Sequence, residues 1–216
     1  FMKSFFQLIA RHRVLASTLF LMIFPFIMPY EALAINILIF GLFAMGFNLL
    51  FGYMGLLSFG HAAFLGIGSY LTGIGIVHYA MPWGSAILVG VIGAAIGGLL
   101  MGFLAIRTRG IYFSMVTLAL GQIVFYCFYK AESLTGGENG LRGVRVDNFN
   151  ILGITVDFLN PLVKYYIILF FVVIAMWLIS RILSSPLGAV MEAIRENEKR
   201  AAACGFDVAR TKLLVF

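Results

Sequence analysis

Charge is scarce in this chain: Asp, Glu, Lys and Arg together make up only 11% of its 216 residues, whereas 62% are hydrophobic. The mean hydropathy of +1.03 lies far above that of an ordinary water-soluble domain. The apolar residues form long unbroken runs, and they do not alternate with polar residues over strand-length segments. The composition therefore excludes a soluble globular domain and predicts an all-α, polytopic helical membrane protein.

Motifs typical of enzymes are also lacking. The three histidines, His12, His61 and His78, fit no HExxH or similar spacing, and the two cysteines form no CxxC. No Gly-Lys dipeptide occurs, so the chain has no phosphate-binding loop with its lysine. We therefore expect a protein that is not an enzyme and holds neither a metal nor a cofactor of its own. If ATP drives this protein, another subunit must bind it.

Six apolar runs are long enough to cross the ~30 Å of a bilayer's hydrocarbon as helices. The runs are 14–30, 32–51, 56–80, 84–106, 111–129 and 163–180. The first is not read as a secretory signal, because it has no small-residue cleavage site and a second run follows at once. We expect residues 1–216 to form a single transmembrane domain.

No Asp or Glu lies in any of the six runs. Carriers coupled to protons or cations commonly bind the coupling ion at an intramembrane acid, so its absence disfavours an ion-coupled carrier. It does not exclude one, because backbone carbonyls also bind sodium.

The cations are distributed unequally between the two sides of the membrane. With a cytoplasmic N-terminus, eleven of the fifteen Lys and Arg residues lie inside and four lie outside, as the positive-inside rule requires. The inner set is Lys3, Arg11, Arg13, Arg107, Arg109, Arg181, Arg195, Lys199, Arg200, Arg210 and Lys212, and the outer set is Lys130, Arg142, Arg145 and Lys164. The same orientation places Cys127 outside and Cys204 inside, so the two cysteines cannot pair.

Two segments are too polar to lie in the membrane. The outer one, 130–162, is rich in Gly, Asn and Asp, which predicts an irregular loop with at most a short helix. We expect its turn-forming part to face a binding protein or to gate a pore mouth, although a purely structural turn is the alternative. The residues concerned are Gly136, Gly137, Glu138, Asn139, Gly140, Leu141 and Arg142.

The inner polar segment, 181–212, reads as one helix from Pro186 to Cys204. Ser185 suits its N-cap, Pro186 its first helical position and Gly205 the C′ position just beyond its end. Its apolar side would consist of Val190, Met191, Ile194 and Ala201, and its charged side of Glu192, Arg195, Glu196, Lys199 and Arg200. Such a helix could lie on the bilayer surface or insert into a groove of a soluble partner, and its residues alone do not decide between the two.

Glycine and polar side chains interrupt the third apolar run, in the stretch "FGYMGLLSFGHAAFLGIGSY". A glycine-rich break at membrane depth is tolerated where it is buried in protein or faces a cavity, so it can form part of a substrate path. The alternative is that the glycines serve close helix packing and His61 bonds a neighbouring carbonyl. Polar residues in other runs are more simply explained by interhelical pairing than by substrate contact. The candidate path residues are Asn48, Ser58, Gly60, His61, Thr117 and Gln122.

The fourth run carries small residues at i, i+4 spacing: Gly93 with Gly97, Ala94 with Gly98, and Gly98 with Gly102. This spacing allows two helix backbones to approach closely. Tight packing within the chain is the favoured interpretation, and a subunit interface is the alternative.

Four motifs in order carry a family resemblance: "NLLFGYMGLLSFGHAAFLGIGSY", "RGIYFSMVTLALGQIVF", "LTGGENGLRGV" and "SPLGAVMEAIRENEKRAAACGFDVARTKLLVF". Over residues 36–216 they closely resemble the permease subunits of branched-chain amino acid ABC importers, of the LivM type. The resemblance implies an importer in the inner membrane of a prokaryote that moves apolar amino acids by alternating access. Urea or short amides are the alternative cargo, and an ion-coupled carrier or channel working alone is the rival from another class.

The resemblance also implies partners. They are a second homologous permease, two ATPase subunits that hold ATP and Mg²⁺, and a periplasmic or lipid-anchored substrate-binding protein. By similarity, the segment 185–205 is expected to be the coupling helix that docks into an ATPase cleft. The candidate docking residues are Glu192, Arg195, Glu196, Asn197, Glu198 and Gly205. Because Phe1 precedes Met2 and the family's chain continues through further spans, we expect this sequence to be a piece of a longer protein, truncated at its C-terminus.

Overall fold

The computed structural model describes residues 13–28, 30–144, 149–151, 154–156 and 160–216. Its structure is almost entirely helical. The α-helices are α1 (Arg13–Ile27), α2 (Glu31–Asn48), α3 (Ala62–Tyr79), α4 (Trp83–Ala105), α5 (Ile111–Lys130), α6 (Glu132–Thr135), α7 (Pro161–Leu183), α8 (Pro186–Glu196), α9 (Glu198–Ala203) and α10 (Val208–Val215). A π-helical turn (Leu49–Tyr53), a 3₁₀ turn (Gly137–Asn139) and two short strands, β1 (Phe149–Ile151) and β2 (Ile154–Val156), complete the described elements.

Five helical segments in the described part of the chain are long and apolar enough to span a membrane. They are Glu31–Tyr53, Ala62–Tyr79, Trp83–Ala105, Ile111–Lys130 and Pro161–Leu183. This finding confirms the polytopic helical fold. The first predicted run, 14–30, instead forms α1, an apolar helix of 15 residues. At ~1.5 Å per residue such a helix covers only about 22 Å, so the count is five long helices and one shorter apolar helix.

One compact unit comprises the described residues within Phe1–Gly46 and Asp147–Ala189. Its core contains residues of α2 and α7, namely Ala34, Leu38, Tyr165, Leu169 and Val172. Pro25 lies inside α1, where it has no N–H to donate to the carbonyl four residues earlier, that of Leu21. The hydroxyl of the fully buried Tyr165 donates to that carbonyl at 2.6 Å. The tyrosine of α7 thus supplies the hydrogen bond that the proline of α1 cannot give to this carbonyl.

The outer segment 130–162 has more regular structure than its composition predicted. It contains α6, the 3₁₀ turn, and the antiparallel pair β1–β2, in whose backbone register Phe149 pairs with Val156 and Ile151 with Ile154. The prediction of an irregular loop with at most one short helix was therefore wrong for the described part of this segment. The strands were missed because three-residue strands are too short to show a periodic pattern. The outer cation Arg145 lies outside the described residues.

The second compact unit comprises the described residues within Phe47–Val146 and Val190–Phe216. Within it, α3 and α4 are packed so closely that a side chain at several glycines of α4 would collide with α3. A Cβ at Gly90 would lie 2.1 Å from the hydroxyl oxygen of Thr72, and one at Gly93 would lie 2.0 Å from a methyl carbon of Leu71. Helix α4 thus uses its small residues for packing within the chain, as the favoured interpretation of their spacing predicted.

The inner polar segment is not the single helix that was predicted. Asn197 takes an extended conformation (φ −159°, ψ 102°), and its side chain accepts a hydrogen bond of 3.0 Å from the backbone N–H of Arg200. This N-cap separates α8 from α9, because Asn competes with helix continuation by bonding the next helix's free N–H group. Ser185 is not a side-chain cap, because its hydroxyl donates backward to the carbonyl of Ile182 at 2.6 Å. The predicted helix start at Pro186 is confirmed.

Candidate functional site

The glycine-rich stretch forms a break between two spanning helices, as its composition predicted. After α2 and the π-helical turn, the chain leaves helical geometry and resumes it only at Ala62. Gly55 lies in the break with a φ of +74°, a conformation that favours glycine. Asn48 is exposed, and its side chain covers Gly52, where a Cβ would lie 2.2 Å from the amide oxygen. The side chain of Asn48 thus packs on the π-helical turn.

Two hydroxyls of α5 hydrogen-bond the backbone of the break. Ser114 donates from its hydroxyl to the carbonyl of Leu57 at 2.7 Å. The backbone N–H of Phe59 donates to the hydroxyl oxygen of Thr117 at 3.2 Å, and that hydroxyl donates in turn to the carbonyl of Ser114 at 2.9 Å. Because backbone groups at membrane depth need internal partners, these hydroxyls stabilise the break.

Thr117 therefore pairs with a neighbouring segment, which is the role that was favoured for it from sequence. Its side chain is fully buried. Sequence reasoning missed Ser114, although a detectable signal was present: it lies three residues before Thr117 and so shares its helix face.

Glycine also allows α5 to lie directly against the break. A Cβ at Gly60 would come within 2.1 Å of the carbonyl oxygen of Thr117, and a Cβ at Gly121 would come within 3.1 Å of the Cα of Gly60. Any side chain at Gly60 would push the two backbones apart.

Ser58 and His61 lie in the same stretch but have different surroundings. Ser58 is 2% exposed, and its hydroxyl has no hydrogen-bond partner among the described residues. The ring of His61 meets Phe47 and Phe64 edge-on, with ring centroids 5.7 and 5.2 Å apart. A substrate-path role for either residue stays a prediction.

A groove of about 450 Å³ lies between α3 and α5. At one end it reaches the break, at Phe59 and Gly60, and at the other it reaches the outer segment, at Gly137, Glu138 and Gly140. Its aromatic lining consists of Phe59, Tyr70, Phe125, Phe128 and Tyr129. We call this cavity the α3–α5 groove.

The α3–α5 groove brings together residues that were predicted separately. Gly60 and Gln122 come from the candidate path, and Glu138 comes from the candidate outer loop. Gln122 is exposed and makes no hydrogen bond to another residue in the described ranges, so the interhelical pairing favoured for it is not seen. Ser58, His61 and Thr117 do not line the groove, and neither does Asn48.

A buried threonine fixes the outer end of the groove. Thr135 is 1% exposed, its hydroxyl donates to the carbonyl of Phe128 at 2.6 Å, and it accepts from the backbone N–H of Gly137 at 3.2 Å. Nearby, the imidazole Nε2 of His78 lies 3.0 Å from the carbonyl oxygen of Leu134. These bonds give the turn containing Glu138 a defined structure. Thr135 was not predicted from the sequence, because a single threonine in a polar loop does not indicate a buried, hydrogen-bonded side chain.

The rest of the predicted outer turn is held by glycine geometry and one weak bond. Gly136 and Gly140 have φ values of +77° and +67°. The guanidinium of Arg142 donates to the amide oxygen of Asn139 at 3.4 Å. The turn is thus built from the glycines that its sequence singled out, whereas its contact with a binding protein stays a prediction.

The inner helices bury the apolar side that their sequence predicted. Met191, Ile194 and Ala201 are 0%, 4% and 4% exposed. Five of the six candidate docking residues are exposed, namely Glu192, Arg195, Glu196, Asn197 and Gly205.

Glu198, another candidate for docking, is engaged within the chain. Its carboxylate lies 2.9 Å from the ammonium of Lys212 and 3.4 Å from the guanidinium of Arg109. Lys212 is only 3% exposed, so Glu198 compensates a buried charge. Gly205 has a φ of +89°, as predicted for the residue that ends this helical segment.

Comparison with known proteins identifies the family. The family model described as the permease component of branched-chain amino acid transport systems matches residues 30–216. The chain belongs to this permease family. Over 199 residues the permease is 32% identical to the high-affinity branched-chain amino acid transport system permease protein LivM of Salmonella typhimurium strain LT2. Over 198 residues it is 30% identical to the protein of the same name from Escherichia coli K12.

Both alignments cover 83% of the permease and 47% of the relative, so the permease spans about half the length of the curated relatives it matches. No solved structure gives a significant match. The resemblance drawn from the four sequence motifs is confirmed, and the permease is a multi-pass membrane component of a transport system.

Proposed function

We propose that the permease is a membrane subunit of an ATP-driven importer for branched-chain or other apolar amino acids. The importer works by alternating access in the inner membrane of a prokaryote, with the N-terminus of the permease in the cytoplasm. A second homologous permease completes the membrane part, and a periplasmic or lipid-anchored protein delivers the substrate. The family membership carries this proposal, because both curated relatives are named as branched-chain amino acid permeases.

The composition of the α3–α5 groove supports the choice of cargo. Its lining is largely apolar and aromatic, which suits an aliphatic side chain. Gln122 offers an uncommitted amide, and Glu138 places a carboxylate at the outer end, where it can attract an ammonium group. The groove therefore combines apolar walls with a few polar groups, as a site for a small apolar amino acid requires.

The chain itself carries no phosphate-binding loop motif, so we assign ATP and Mg²⁺ to two partner ATPase subunits. Exposed carboxylates of α8, from Glu192 and Glu196, are available to such a partner. Helix α8 is amphipathic and buries Met191 on its apolar side. An ATPase cleft can thus meet the charged side of α8 without unpacking it.

ATP-dependent uptake in proteoliposomes tests this function. The full-length permease is reconstituted with its sister permease, ATPase subunits and binding protein, and uptake of labelled leucine is measured. We expect uptake to require ATP and to be inhibited by valine but not by urea. Leucine uptake by the permease alone, or inhibition by urea with none by valine, would contradict the proposal.

A matched pair of variants tests the groove in the same assay. Gln122→Ala removes one polar contact worth about 0.5–1.5 kcal/mol, which corresponds to a KM for leucine raised roughly twofold to tenfold. Met115 lies on the same helix, is 60% exposed and does not line the groove, so Met115→Ala is the control with an unchanged KM. Equal KM values for the two variants would show that Gln122 in the groove does not contribute to leucine binding.

A further inference from the structure

Arg195 differs from the other charged residues of α8 in where its side chain lies. Its guanidinium donates a hydrogen bond to the backbone carbonyl of Gly52, in the π-helical turn. Its stem passes Gly55, where a Cβ would lie 3.2 Å from the Cγ of the arginine. No carboxylate pairs with Arg195 in the part of the chain that the structure describes. The side chain of Arg195 is exposed, like those of Glu192 and Glu196, but it also contacts the break.

The carbonyl that Arg195 binds has lost its usual helical partner. In an α-helix the carbonyl of Gly52 would accept from the N–H of Leu56, four residues later. Leu56 instead donates to the carbonyl of Leu50 at 3.1 Å, and Gly55 donates to Phe51 at 3.1 Å. The guanidinium thus takes the place of a helical N–H where the helix comes apart.

Helix α8 is buried on one side and exposed on the other. Met191 lies one turn before Arg195 and Ile194 lies next to it, and both are buried. Glu192 and Glu196 are exposed. A partner that binds the exposed side can therefore move α8 together with the guanidinium of Arg195.

The contacted carbonyl is also close along the chain to the α3–α5 groove. Between Gly52 and the groove-lining Phe59 there are only six residues. Ser114 binds the carbonyl of Leu57 and Thr117 binds the N–H of Phe59, so α5 holds the far end of this segment. A displacement of Gly52 must therefore change the conformation of residues 53–58, because the far end of this segment is fixed by hydrogen bonds.

We propose that Arg195 is the positioning residue that transmits movement of α8 to the glycine break, through its hydrogen bond to the carbonyl of Gly52. The proposal deepens the proposed function and rests on it: α8 moves because an ATPase subunit binds it, and the break moves because Arg195 holds it. Loss of the bond leaves ATPase binding intact but separates ATP hydrolysis from transport.

Three variants of the reconstituted importer test the proposal. Arg195→Met keeps an apolar stem beside Gly55 and removes every donor, and Arg195→Lys keeps the charge and one donating nitrogen. The control is Arg210→Met, because Arg210 is exposed and pairs only with Asp207, at 3.4 Å, among the described residues. The readouts are copurified ATPase, the ratio of leucine transported to ATP hydrolysed, and the nucleotide-dependent change in thiol labelling at Ala62→Cys, which lines the groove.

Arg195 was a candidate docking residue from sequence, but its guanidinium binds the carbonyl of Gly52. We therefore expect Arg195→Met to copurify with ATPase like the wild type, but to transport less leucine per ATP by about fivefold or more. Its labelling at position 62 loses its dependence on nucleotide. Arg195→Lys recovers part of the ratio, and Arg210→Met behaves like the wild type. A purely docking or structural residue would not produce this pattern.

Several results would overturn the proposal. An unchanged transport ratio in Arg195→Met, or a loss of uptake that follows loss of ATPase copurification, would show that Arg195 does not transmit movement. If neither Arg195→Met nor Arg195→Lys were found in the membrane, Arg195 would be required for folding and not for transmission. A wild-type importer that shows no ATP-dependent uptake would instead overturn the proposed function, and the transmission proposal with it.

Discussion

Thr117→Val removes the hydroxyl that joins α5 to the glycine break while nearly preserving the volume of the side chain. In the wild type this hydroxyl accepts from the N–H of Phe59 at 3.2 Å and donates to the carbonyl of Ser114 at 2.9 Å. The side chain is fully buried, so water does not replace the lost bonds. The variant therefore isolates the contribution of one hydroxyl to the stability of the break.

The size of the effect follows from the position of the N–H group. A buried donor left without a partner costs about 1–3 kcal/mol. Hydrogen bonds between membrane helices average about 0.6 kcal/mol and reach about 1.7 kcal/mol, because the unfolded state in a membrane also finds partners. Phe59 lies outside regular helix, where no helical carbonyl is available to it. We therefore expect a loss of about 1–2 kcal/mol, which for a chain of this size lowers Tm by about 2–8 °C.

Thermal unfolding of the purified protein in detergent measures this loss. Thr18→Val is the matched control, because the hydroxyl of Thr18 donates to the carbonyl of Leu15 in its own helix, at 2.8 Å. We expect Thr117→Val to unfold at a clearly lower temperature than Thr18→Val. Equal Tm values for the two variants would refute the view that α5 stabilises the break through this hydroxyl.

Three further changes have defined outcomes. Gly60→Ala places a Cβ 2.1 Å from the carbonyl oxygen of Thr117, so leucine uptake should fall sharply at normal membrane insertion; uptake equal to wild type would show that the close approach is dispensable. Glu198→Gln leaves Lys212, only 3% exposed, without its ionised partner, so Tm should drop. Adding Lys212→Met should restore Tm, because it removes the buried charge. A Tm that does not recover would show that the buried charge is not the cause of the loss. Gly205→Val forces a β-branched residue to a φ of +89° at a cost of about 1–2 kcal/mol. ATPase copurification should therefore decrease more in Gly205→Val than in Gly205→Asn. Equal copurification would show that docking does not require the backbone conformation of Gly205.

The long helices were predictable because each depends on a property of many residues. An apolar run of about 20 residues has few other stable states in a membrane, since its backbone must bond to itself. The glycine break was predictable for the complementary reason, because Gly52, Gly55 and Gly60 lie close together in one such run. The π-helical turn that precedes the break has no comparable signal.

Features that depend on single contacts were not predictable. Asn197 was assigned to a docking surface, yet it caps α9, and only its bond to the N–H of Arg200 reveals the interruption. The pairing of Glu198 with Lys212 joins residues of two helices whose relation depends on the positive φ of Gly205. The approach of Arg195 to Gly52 spans 143 positions in sequence and follows only from how the helices pack.

We propose above all that the α3–α5 groove forms part of the path of an apolar amino acid through an ATP-driven importer. Thiol labelling at Ala62→Cys tests it most directly, in an otherwise active full-length importer in which the exposed cysteines Cys127 and Cys204 are replaced by serine. We expect leucine to slow labelling, lysine to leave it unchanged, and the labelling rate to change when ATP is added. A labelling rate that is the same with and without leucine, in the presence and in the absence of ATP, would contradict it.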